Sequence, residues 1–141
     1  MKTKAPKWFM VVAVIAFIWN LMGVMAYIMQ VTMSPEVLSQ MPEAKRLMYE
    51  NIPVWVTSAF AIAVFGGILG SLALILRKGW AVSLLMISLI AVLVQMYYSF
   101  FMTEFVTIGS TSDIIMSILV IIIAILLVIV SRIARRNDWI A

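Results

Sequence analysis

Apolar positions fill four long runs of the chain, at 8–30, 54–76, 80–102 and 114–133, and charged, proline or glycine residues mark their ends. Each run holds about the twenty residues that a helix rising ~1.5 Å per residue needs to cross ~30 Å of hydrocarbon. None has a proline in its interior, so no helix carries a built-in kink. The pattern predicts an all-α membrane protein, with four transmembrane helices in one bundle and a single integral-membrane domain over 1–141. The first run follows a lysine-rich start, as the apolar core of a signal peptide would. It is long, however, and lacks a small-x-small cleavage site before its polar flank, which predicts a retained helix.

The one sizeable connection, between the first and second runs, is itself patterned. Ser34 followed by Pro35 reads as a helix start, with the hydroxyl as cap and proline at the first position, where its missing N–H costs nothing. Pro42 begins a second short piece that sets Ala44, Leu47 and Met48 near one side and Glu43, Lys45, Arg46 and Glu50 mostly elsewhere. This predicts a short helical loop that packs on the membrane surface or caps the bundle. The later connection, over 103–112, leads to Ser112 and Asp113, which suit the start of the last helix.

Composition agrees with the pattern. Of the 141 residues, 65% are hydrophobic and 11% charged, with mean hydropathy +1.15, against about half and about a quarter in soluble domains. Charge adds orientation. Lys2, Lys4, Lys7, Arg77, Lys78, Arg132, Arg135 and Arg136 place eight of the ten basic residues on one face, and only Lys45 and Arg46 on the other. By the positive-inside rule both termini are expected in the cytoplasm. The pI near 9.7 then follows from topology and contact with anionic lipid, and no nucleic-acid partner is implied.

The composition also narrows the chemistry. Cysteine and histidine are both absent, which removes disulfides, thiolate nucleophiles, imidazole bases and the commonest transition-metal ligands. No metal, no cofactor and no catalytic residue is expected, and Glu104 with Asp113 is a thin basis for an enzyme. All charged residues lie in flanks or loops, so no carboxylate stands at mid-membrane depth to couple transport to protons or ions. Any solute movement is expected to be passive.

Two sets of residues inside the runs remain. In the second run Ala59, Ala63, Gly67 and Ser71 recur at every fourth position, with Gly66 and Gly70 beside them. Such a strip lets another backbone approach closely, as membrane helices do when lipid supplies no hydrophobic drive. It marks this helix as the expected packing centre and as a contact between protomers or with another membrane protein. The fourth run, apolar all round, is expected to face lipid. The polar set begins with Asn20, which shares a helix face with Gly23, Tyr27 and Gln30, with Trp19 beside it. By the rise per residue, Asn20 and Gln95 lie about 18 and 22 Å along their helices from the basic end, and so at one depth. Trp19, Asn20, Tyr27, Gln30, Gln95 and Tyr98 are thus candidates to line a solute site, with Thr57, Ser58, Tyr97 and Ser99 nearby. That Asn20 and Gln95 only hydrogen-bond across helices and hold them together is the simpler alternative. A bundle this thin is expected to be filled by side chains, which would put a transport path between protomers.

The segments "APKWFMVVAVIAFIWNLMGVMAYIMQVTMSPE", "MPEAKRLMYENIPVW", "AFAIAVFGGILG" and "LVQMYYSFF" resemble those of a family of small, uncharacterised bacterial inner-membrane proteins of about this length. Some members carry a sugar-transporter label. The resemblance covers nearly the whole chain but brings no site residues with it. Two functions are therefore expected as alternatives: passive transport of a small uncharged polar solute, sugar-like in the family's label, by an oligomer; or a non-catalytic accessory subunit that packs on another membrane protein.

Overall fold

The computed structural model describes residues 4–102 and 111–141. Of the residues discussed above, Lys2, Glu104 and the 103–110 part of the second connection lie outside it. The chain forms six helices among the described residues: α1 (Lys7–Val31), α2 (Pro35–Ser39), α3 (Glu43–Glu50), α4 (Val54–Ile75), α5 (Ala81–Phe101) and α6 (Thr111–Arg136). There is no strand among these residues. α1, α4, α5 and α6 are long and apolar enough to span a membrane. They match the four sequence runs, and α6 extends three residues past its run at either end because polar residues continue a helix beyond the hydrocarbon. α2 and α3 are the expected helical loop. Ser34 Oγ accepts a hydrogen bond from the Val37 N–H at 3.3 Å, which caps α2 above Pro35.

Each long helix packs on its sequence neighbour: α1 on α4, α4 on α5, and α5 on α6. Small residues of α4 make the first two contacts close. A Cβ added to Gly70 would stand 2.7 Å from Leu85 Cγ of α5, and one added to Gly66 would stand 3.4 Å from the Leu84 carbonyl. Towards α1, a Cβ on Gly67 would collide with the Asn20 amide. Ala59, Ala63, Gly66, Gly67, Gly70 and Ser71 are all buried. The glycine face is thus filled by α1 and α5 of the same chain, and it does not lie on the outer surface where a second protein could reach it. This corrects the expectation that it is a contact between protomers. The strip is wide enough to receive a helix on either side, and the chain supplies both.

Burial is uneven along the bundle. The buried residues of α1 are Phe9, Ala13 and Ala16, all in its first half, and those of α6 are Leu127, Val128, Ser131 and Ala134, all in its second. Both sets lie at the end that carries the basic residues. Two matched turns close that end. Arg77 (φ 57°) and Asp138 (φ 58°) occupy the left-handed region, where L-residues are strained. After each, the next N–H reaches back to the helix: Lys78 to the Ala73 carbonyl and Trp139 to the Ala134 carbonyl, both at 2.8 Å. The turns also bind one another. Arg77 Nε donates to the Trp139 carbonyl at 2.7 Å, the Ala141 N–H donates to the Arg77 carbonyl at 3.2 Å, and Arg135 donates to the Gly79 carbonyl at 3.2 Å. The Trp139 ring then sits against Trp8 and Phe9, with centroids 5.4 and 5.5 Å away. The C-terminal residues thereby join α1 to the α4–α5 turn and seal the bundle at its basic end.

Candidate functional site

Towards the other end a cavity of about 540 Å³ lies between α1, α4, α5 and α6 under α3. This corrects the expectation of a filled interior. The small residues of α4 bring it close to α1 and α5, and Ala63 and Gly67 among them leave space on the cavity side. It also corrects the view of α6 as a purely lipid-facing flank. Met116, Ser117, Val120, Ile123, Ala124 and Leu127 of α6 line the cavity, while Ile118, Ile122, Ile125 and Ile129 face outwards. Ser117 and Ala124, the small residues of that run, lie seven apart, and this spacing was the sequence signal for an inward face.

The polar side chains along the cavity fall into two groups. The first is tied to the protein. Asn20 Nδ2 donates to the Ala16 carbonyl at 2.8 Å and to Ser71 Oγ at 2.9 Å, while Ser71 Oγ donates to the Gly67 carbonyl at 2.7 Å. Ser88 Oγ donates to the Ala63 carbonyl at 2.6 Å. Asn20 therefore uses one N–H donor to fasten α1 to α4 through Ser71 and the other on the Ala16 carbonyl of its own helix, over a glycine that leaves room for the amide. Its Oδ1 makes no hydrogen bond to any described residue. The simpler expectation, a hydrogen bond across helices, is met by Asn20 through Ser71 and not by Gln95.

The second group is open. Trp19, Gln30, Gln95 and Tyr98 line the cavity, and their side chains make no hydrogen bond to any described residue. None of these polar atoms is sealed from solvent, so they are available to a molecule in the cavity. The two amides offer donors and acceptors together, the indole a donor and the phenol both, a set that suits hydroxyl groups. Tyr27, the remaining candidate, does not line the cavity. It lies on the edge of the α1 face nearest α4, where its ring meets Phe60 and Phe65 at 5.4 and 5.8 Å. Thr57, Ser58 and Tyr97 are also absent from the lining, Ser99 is part of it, and Tyr97 stacks on Phe101 at 5.3 Å on the exposed side of α5.

α3 takes the capping position that the sequence offered as one of two, but the ion pair that holds it there was not expected. Lys45 of α3 and Asp113 of α6 form an ion pair at 3.3 Å, with side chains 39% and 38% exposed, and both border the cavity together with Met48, Tyr49 and Ile52. α3 thus lies across the mouth of the cavity, rather than resting only on an outer surface. A pair this exposed contributes about 1 kcal/mol or less. Its two members lie 68 residues apart, and nothing in either local pattern points to the other. They are the only ionised side chains along the cavity among the described residues, and they offset one another.

No family model, curated protein or solved structure matches this chain.

Proposed function

We propose that this protein binds and passively transports a small uncharged polar solute, in the bacterial inner membrane, with both termini in the cytoplasm. The observation that carries the reading is the cavity of about 540 Å³ with free amide, indole and phenol groups on its wall. That volume lies within the range of small-molecule sites, roughly 300 to 1,000 Å³. An uncharged solute fits a wall whose ionised groups are one mutually neutralising pair, and passive movement fits the lack of a carboxylate at mid-depth. All the groups named come from one chain, so an oligomer, though expected from the sequence, is not required to build the site. The accessory-subunit alternative loses its main support, because the glycine face it would use is occupied within the chain.

The direct test is uptake of glycerol, urea and glucose by liposomes that contain the purified protein. At least one solute is expected to equilibrate faster than in empty liposomes; equal rates for all three would remove the transport reading. Orientation is tested separately, and the absence of native cysteine makes the labelling clean. In intact cells, Ser39→Cys is expected to react with an impermeant maleimide and Arg136→Cys is expected not to. The reverse pattern would invert the topology.

A further inference from the structure

The cavity is open on one side as well as under α3. α1 and α6 stand at the two ends of the packing row and are not packed along each other. They are joined at the basic end by the Trp8–Phe9–Trp139 cluster and linked at the other through α3 by the Lys45–Asp113 pair. Between these two closures the wall is thin. Met22 of α1 and Met116 of α6 both line the cavity, yet they are 58% and 52% exposed. Side chains that belong at once to the cavity and to the outer surface mark an opening. Both lie within helices long and apolar enough to span a membrane, so the opening faces hydrocarbon as well as the more polar boundary near α3.

We infer that the ligand is an uncharged amphiphile, with a hydroxyl-bearing head and a single hydrocarbon chain, which reaches the cavity sideways from the bilayer between α1 and α6. The inference rests on the solute-site reading and narrows it. Three observations converge on this class. The border of the opening is thioether and aliphatic, which passes a hydrocarbon chain without loss of hydration and adapts to its shape. Deeper in, Val92, Ile123, Ala124 and Leu127 offer an apolar wall, while the free amides of Gln95 and Gln30 supply partners for a head group. The ionised groups at the roof neutralise each other, so neither an anionic nor a cationic head is selected. A fully water-soluble molecule would lose its hydrogen bonds on the route from lipid and would enter under α3 instead, so the lateral opening suits an amphiphile.

The test uses the full-length protein in lipid nanodiscs and a medium-chain monoacylglycerol that carries a photoreactive diazirine in its chain. After illumination, cross-linked peptides are mapped by mass spectrometry. Labels are expected on the inward faces of α1 and α6 around Met22, Val120 and Ile123. Excess unlabelled monoacylglycerol is expected to suppress them by about tenfold or more, and glycerol or the fatty acid of equal length much less. Met22→Trp with Met116→Trp, checked for an unchanged melting temperature, is expected to lower labelling by a similar factor, whereas Ile118→Trp on the outward face of α6 is not. Labelling that does not saturate, that falls only on outward residues such as Ile118, or that ignores the double tryptophan substitution overturns the inference. Should the double substitution fail to melt as wild type, competition by the fatty acid decides alone, and equal competition by acid and glyceride overturns the uncharged class. Failure here with intact glycerol or glucose flux removes only the lateral route, whereas loss of both removes the solute site itself.

Discussion

Gly67→Leu is expected to destabilise the protein by about 3 kcal/mol, the upper part of the usual range for forcing bulk into a packed interior. Gly67 is the point where α4 receives the side chain of Asn20. A Cβ there would stand 2.9 Å from Asn20 Cγ and 3.4 Å from Ser88 Oγ, and it would collide with Asn20 Oδ1. A leucine must therefore move the amide, and with it the hydrogen bond to Ser71 that fastens α1 to α4 and the one to the Ala16 carbonyl within α1. Thermal melting in detergent reads the loss. Ala124→Leu is the matched control. It adds nearly as much bulk, one carbon less, on α6 towards the cavity, where there is space, and is expected to change stability by about 1 kcal/mol or less. Equal destabilisation by the two substitutions would mean that Gly67 is not a privileged contact.

The second large effect separates two amides that the sequence presents as equivalents. Asn20→Leu removes two hydrogen bonds within the protein and is expected to lower stability by about 1 to 2 kcal/mol, the sum of two such bonds at membrane depth. Gln95→Leu removes none to any described residue. It replaces an unpartnered amide by an apolar group of similar size, so its melting temperature is expected to stay at or slightly above that of wild type. Binding should respond in the opposite order. A solute that exchanges its water shell for hydrogen bonds to Gln95 loses about 1 to 3 kcal/mol when the amide is removed, because its own polar group is then left unpaired. That corresponds to roughly tenfold to a hundredfold weaker binding.

The four spans and the helical loop between the first two were legible because they depend on local properties: run length, helix caps, and the spacing of proline and charge. The Ser34–Pro35 start of α2 is an instance, since cap and capped N–H lie three residues apart. The candidate site was legible only in outline. Trp19, Asn20, Gln30, Gln95 and Tyr98 do border one space, but Tyr27, on the same turn of reasoning, packs against Phe60 and Phe65 instead. Periodicity places a residue on a face; it does not say how far round that face a neighbouring helix reaches. The cavity itself and the ion pair that ties its roof to α6 were not legible. Each depends on contacts between distant segments, Lys45 with Asp113 at one end and Arg77 with Trp139 at the other. The C-terminal turn had a local signal that was easily overlooked: a tryptophan placed just beyond a helix that ends in arginines, where it can fold back on the aromatic start of α1.

The central claim is that the free polar groups of the cavity serve a solute rather than the fold, and solute uptake by liposomes containing Gln95→Leu, measured beside its melting temperature, tests it most directly. The account predicts a protein that melts as wild type and transports the solute that wild type carries at least about tenfold more slowly. Uptake at the wild-type rate by a normally melting Gln95→Leu protein would contradict it.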